Sequence, residues 1–212
     1  MFRQVESGFL SVLYSIGEKP LEMWHQKVEN GIIKRIVDPD IESQVIEIRS
    51  YSSKFTENYI SAPIRGSLGI KLPFMVMQVK GISSHFSFEV QILDDTQTKR
   101  TFRSSTIHSN ARIKPLLTCL PLKLSGLKEK ITRTTGKDDA LVHTDWNQIP
   151  IDLAVLTMKA YGTKYVETQR IKISADCRIR RLFFCETACT DVQIPKQFRL
   201  VKVESVKEHL YM

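Results

Sequence analysis

Cysteine is scarce in this chain, with four among 212 residues (Cys119, Cys177, Cys185 and Cys189), and they follow no framework spacing. That excludes a disulfide-built scaffold and points to reduced thiols in a cytosolic or nuclear protein. Cys185 and Cys189 form a C-x3-C pair, but no second pair accompanies them and His209 is isolated. No structural zinc, and no other metal, is expected. Glycine is also sparse, and GxGxxG, Walker and GxSxG motifs are all absent. No nucleotide cradle or nucleophile elbow is therefore visible, and no cofactor, small-molecule substrate or enzymatic role is expected. No apolar run approaches the ~20 residues that span a bilayer. The N-terminal stretch carries Glu6 and lacks a small-residue cleavage site, so it reads as part of the protein and not as a signal peptide. Asn-x-Ser/Thr acceptors are missing too.

What is present is a succession of short apolar stretches. With 42% hydrophobic and 25% charged residues the composition is that of an ordinary globular protein, long enough to bury a core. Alternation with period two predicts strands over 44–51, 68–81, 86–95, 112–124, 146–153 and 166–184. Asp94 and Asp95 before "TQT" and "KRTFRSS" predict a hairpin at 95–99, and Pro73 inside 68–81 suggests an edge or a kink. The run 166–184 is one long strand or two. Asp152 as N-cap and Gly162 as C-cap predict a helix over 152–162. The stretch 20–31 reads either as a helix or as a strand ending in a turn. The expected fold is an all-β antiparallel sandwich or barrel with one or two short helices, over residues 1–200. A long surface loop is expected at 125–145 and a tail at 201–212. Asp38, Asp40 and Glu42 have the spacing that opens a calcium loop. Ser43 and Arg49 stand where an EF-hand needs Gly and Glu, so the segment reads as a solvated acidic turn.

The net charge of +8 and an isoelectric point near 9.3 point to a polyanionic partner: nucleic acid, anionic lipid or an acidic protein surface. The bland reading is that the excess of lysine only maintains solubility. Within "ISADCRIRRLFFCET", Ile171, Ile173, Ala175, Cys177 and Ile179 fall on one face of a strand. Lys172, Ser174, Asp176, Arg178 and Arg180 fall on the other, and Arg181 breaks the alternation as a bulge would. Other cations sit at strand ends and turns: Lys34, Arg35, Lys99, Arg100, Arg103, Arg112 and Lys114. An arginine held on a strand can meet an external carboxylate bidentately. Equally, these residues could pair with Glu47, Glu89 or Glu167 on neighbouring strands. Nucleic acid is disfavoured because exposed aromatics do not interleave with the cations, and a sugar-binding role because Trp24 and Trp146 look packed.

The blocks "SGFLSVLYSIGEKPLEMW", "LGIKLPFMVM", "FSFEVQILDD" with "FRSS", and "AYGTKYVETQRIKISADCRIRRLFF" resemble the cilia- and flagella-associated protein 20 family, in order from Met1 to about Phe198. The resemblance implies a β-sandwich of jelly-roll type, as in carbohydrate-binding modules. It also implies a structural role at the inner junction of ciliary doublet microtubules. There the partners would be tubulin, on A- and B-tubule protofilaments, and the parkin co-regulated protein with other inner-junction proteins. Localisation to the axoneme, basal body and cytoskeleton follows from it. An acidic tubulin wall would give the strand arginines Arg178, Arg180 and Arg181 an external purpose. The chain departs from the family between Leu124 and Trp146, where only a few residues are usual, and in its tail.

Overall fold

The computed structural model describes residues 5–6, 8–126, 145–188 and 194–201. Its strands, in chain order, begin with β1 (Val5–Glu6), β2 (Phe9–Tyr14), β3 (His25–Lys27), β4 (Gly31–Asp38) and β5 (Ser43–Ser50). Then come β6 (Tyr59–Ala62), β7 (Phe74–Gly81), β8 (Ser87–Asp94), β9 (Lys99–Ser105), β10 (Arg112–Ile113) and β11 (Leu117–Pro121). β12 (Trp146–Asp152) leads into the helix α1 (Leu153–Tyr161), followed by β13 (Tyr165–Ser174) and β14 (Cys177–Cys185).

Two seven-stranded sheets enclose one apolar core, giving the all-β sandwich that the alternation predicts. In the first sheet β14 is the axis: β7 lies along one side of it and β12 beyond. Its other side is shared end to end, β5 pairing with its first residues and β2 with its last. β4 then flanks β5 and forms an edge. The second sheet runs β10-β11-β9-β8-β13-β6-β3, antiparallel except where β11 lies parallel to β9.

Residues 166–184 therefore make two strands, and they lie in different sheets. The chain crosses between Ser174 and Cys177, yet Ile171, Ile173, Ala175, Cys177 and Ile179 all stay fully buried. The apolar alternation tracks the inside of the sandwich across the corner. The bulge expected at Arg181 is present: the pairing of β14 with β7 slips between Ile179 and Arg181. The Asp94 carboxylate organises the β8–β9 hairpin, accepting from the backbone N–H of Thr96 and Thr98. α1 starts where Asp152 caps the Val155 N–H and stops at Gly162, whose φ of 68° suits glycine.

Of the two readings of 20–31, the strand ending in a turn is the one present: His25–Lys27 is β3, and residues 28–30 bend the chain into β4 at Gly31. Other expectations are corrected. Pro73 precedes β7 and does not interrupt it, and residues 68–72 lie beside β13: Ile70 bridges Thr168, the Leu68 N–H donates to the Gln169 carbonyl, and the Tyr165 hydroxyl bonds the Ile70 and Leu72 carbonyls. The loop at 125–145 lies outside the described residues apart from its ends, where the Asp145 N–H donates to the Ser125 carbonyl. The tail beyond Val201 also lies outside them.

Candidate functional site

The outward side of the first sheet holds most of the cationic run, and it is not bare. Pairing places Lys34, Glu47, Arg178, Lys80 and Trp146 in one register row across β4, β5, β14, β7 and β12. The β4–β5 turn folds back over this row, with Ile41 packing on Val45 and Trp146. Asp38, the last residue of β4, lies beneath it and is fully buried. One Asp38 oxygen accepts from the Trp146 indole at 2.9 Å and the other from Arg178 Nη1 at 2.7 Å. Lys80 Nζ donates to Asp40 Oδ2 at 2.6 Å and lies 3.7 Å from Asp38. Arg178 Nε reaches Glu47 Oε2 at 2.9 Å. Glu47 also meets Lys34 and Arg49 at 3.7 Å each.

This is a closed arrangement of charges. Burial pushes the Asp38 carboxyl up, but the bonds from Trp146 and Arg178 and the nearby Lys80 outweigh it and hold it below its ordinary 3.8. Burial opposes the Arg178 charge, while Asp38 and Glu47 more than restore it. Of the three carboxylates in the segment read as a solvated acidic turn, Asp40 and Glu42 are exposed and Asp38 is not.

A second cover lies beside the first. The bulge turns Arg181 onto the same outward side, where its guanidinium stacks between the Tyr14 ring at 3.7 Å and the Phe198 ring at 3.8 Å. Phe198 belongs to a segment at 194–200 that packs on Phe9, Val76 and Phe183. Gln78 donates to the Phe198 carbonyl and fixes that segment further. Arg180 also lies near Tyr14, at 5.4 Å, and burial lowers its basicity. Arg178 and Arg181, 14% and 2% exposed, therefore offer no guanidinium to an outside surface. The physical reason is that the face they occupy is roofed by the β4–β5 turn and by 194–200.

The remaining cations divide. Arg100 pairs with Asp94 at 2.9 Å, stacks on Tyr161 at 4.5 Å and bonds the Pro115 carbonyl, so it too is internal. Asp94 is pushed up by burial, but bonds from Thr96, Thr98, Arg100 and Thr163 dominate and hold it well below the usual carboxylate range. Arg103 pairs with Glu89 across β8 and β9 at 3.0 Å, half in solvent, and Lys172 lies 4.2 Å over the Tyr59 ring. Lys34, Arg35, Lys99, Arg112 and Lys114 are exposed. Arg112 and Lys114 sit on a projecting flap together with Ile107, Ile113 and Leu116, which are 56%, 58% and 60% exposed. That apolar component was not foreseen; its signal in the sequence is the spacing of Ile113 and Leu116 around Arg112 and Lys114. Among the described residues, exposed Lys and Arg outnumber exposed Asp and Glu.

Among the described residues, open seams lie at the sheet edges. One lies between β3 and β4 and has a volume of about 440 Å³. Another, of about 310 Å³, lies between β11, β12 and α1 and is mainly apolar. Both tryptophans are buried, at 2% and 4%. Among the described residues no group of three His, Cys, Asp or Glu could hold a metal ion, and no helix is long and apolar enough to cross a membrane.

The CFA20 domain model matches residues 1–202. The chain belongs to the CFA20 domain family. It is 43% identical over 203 residues to cilia- and flagella-associated protein 20 of Chlamydomonas reinhardtii, covering 94% of this chain and 96% of that protein. It is equally similar, 43% over 197 residues, to the Paramecium tetraurelia protein of the same name, covering 92% and 93%. The resemblance seen in the sequence blocks is borne out, and this family member is a cilia- and flagella-associated protein by kinship. Among solved structures it is similar to the K1 cleaved adhesin domain of Lys-gingipain from Porphyromonas gingivalis. That likeness has 11% identity and a TM-score of 0.40, covering 85% of this chain and 99% of that one.

Proposed function

We propose that this chain is a non-enzymatic structural protein of the ciliary and flagellar doublet microtubule. It acts at the inner junction, bridging A- and B-tubules by adhesion to tubulin and to neighbouring junction proteins such as the parkin co-regulated protein. The observation that carries this reading is the partition of charge. Asp38, Glu47 and Asp94 are consumed inside the molecule by Arg178, Lys80 and Arg100, so what remains outside is an excess of lysine and arginine on a stiff sandwich. Membership of a family named for cilia and flagella gives that surface an acidic polymer to meet. Compared with the sequence-based expectation, the contact shifts from Arg178, Arg180 and Arg181 to the exposed flap and edges: Lys99, Arg112 and Lys114, with Lys34 and Arg35.

Pelleting with microtubules at low ionic strength tests this. The triple substitution Lys99→Glu, Arg112→Glu and Lys114→Glu is expected to weaken binding at least ~10-fold with an unchanged melting temperature. Undiminished pelleting by a folded triple variant would remove the flap from the contact. Absence of the protein from the inner junction in a map of intact axonemes would remove the location.

A further inference from the structure

Among the described residues five edge strands bound the two sheets, and four are closed by ordinary means. β1, β3 and β10 are two, three and two residues long. β12 carries Pro150, which has no N–H to offer a further strand. β4 differs. It is eight residues long, contains no proline, and among the described residues nothing pairs with its outer side. The Tyr51 N–H donates to the Asn30 carbonyl just before β4. Hydrogen-bonded pairs alternate along an antiparallel ladder, so the even-numbered residues of β4 face β5. The N–H and C=O groups of Ile33, Arg35 and Val37 consequently point away from the sheet.

The surroundings of this edge select by charge. Lys34 and Arg35 are exposed on it, and the β3–β4 seam beside it is lined by three cations, Lys19, Lys34 and Arg35, against one carboxylate, Glu22, over an apolar floor of Leu21, Ile33 and Ile46. Edge cations normally discourage pairing, and here they discourage one kind in particular. A second copy would bring its own Lys34 and Arg35 against these and be repelled. A strand carrying carboxylates would be attracted, and would find main-chain partners and an apolar floor. We infer that β4 is a docking edge that takes an extended acidic segment of a partner protein by strand addition. The inference concerns how a segment is bound and stands whether or not the partner is a microtubule component.

Val37 is 64% exposed and its N–H is directed outward, so Val37→Pro removes one docking donor without breaking a bond to β5 or changing charge. The probe is a decapeptide of alternating Thr and Glu, read by fluorescence anisotropy at low salt and by amide exchange. The acidic peptide is expected to bind the full chain and to slow exchange at Ile33, Arg35 and Val37. An alternating Thr and Lys peptide is expected not to bind. Val37→Pro and Arg35→Glu should each weaken binding at least ~10-fold, while Val37→Thr binds as the unaltered protein does. Circular dichroism melts establish that each variant is folded. The inference is overturned if the acidic peptide does not bind, if both peptides bind equally, or if a folded Val37→Pro binds normally, which would make the attraction one of charge alone. It is also overturned if the edge amides are already protected without peptide by the chain's own residues or by a second copy.

Discussion

At the scale of single residues, Asp38 is the most heavily engaged group in the charge network, and its role sets a pH dependence. Its carboxyl is held below 3.8 in the folded protein, so it binds protons more weakly there than in the unfolded chain. The stabilisation is therefore complete above the unfolded value and lost as pH falls through the folded one. Asp38→Asn is expected to lower the melting temperature at neutral pH. It should also make the midpoint fall less steeply between pH about 5 and about 2, while Asp94 still contributes its share of the acid sensitivity. Parallel slopes in variant and unaltered protein would show that Asp38 is not the group responsible. Arg178 is the counterpart. Removing one partner of a buried pair leaves the other uncompensated, so Arg178→Met is expected to cost about 3 kcal/mol in denaturant melts. Arg178→Glu would set a third carboxylate against Asp38 and Glu47, and the soluble yield of folded protein should collapse. Gly31 is constrained by space: an added Cβ would collide with the Arg49 carbonyl and lie 2.7 Å from Asn58 Oδ1. Gly31→Ala is expected to destabilise by about 1–3 kcal/mol, as forced overpacking does.

At the scale of elements, the inner side of the sandwich was legible and the outer side was not. Period-two alternation identified Phe88, Val90 and Ile92, and the set from Ile171 to Ile179, because a core-facing row leaves the same mark in any sheet. The capped helix was legible for an equally local reason, Asp152 and Gly162 supplying its two ends. What alternation cannot reveal is a roof. The polar side of β14 reads as solvent-facing unless one knows that 38–43 and 194–200 return to cover it, and those contacts are remote in sequence. One signal did exist. Phe74 to Met77 and Leu182 to Phe184 are apolar on both sides, the mark of strands buried on both faces. The clamp on 194–200 is testable as an element. Arg181 stacks on Phe198 in a desolvated setting, where such contacts reach about 2 kcal/mol. Arg181→Leu is expected to speed proteolysis and amide exchange within 194–200 far more than within β7 or β5. Uniform acceleration across the first sheet would mean that Arg181 supports the sheet itself and not its cover.

At the scale of the whole molecule, the chain carries two populations of positive charge, and salt separates them. Arg178, Lys80 and Arg100 face carboxylates away from solvent, with side chains 14%, 4% and 15% exposed. Lys99, Arg112 and Lys114 stand in water. Mobile ions screen the second group over a distance of about 8 Å at physiological strength and hardly reach the first. Raising the salt concentration should therefore leave the melting temperature nearly constant while microtubule pelleting declines. A protein whose fold depended on its surface ion pairs would instead lose stability and binding together. The comparison also tests the division of labour directly, since Arg178→Met should lower the melting temperature and leave the salt sensitivity of pelleting unchanged. The flap triple variant should do the reverse. If Arg178→Met, still folded, altered the salt dependence of binding, the buried row would have to open on contact with its partner. Adhesion would then depend on displacing the β4–β5 turn that roofs it.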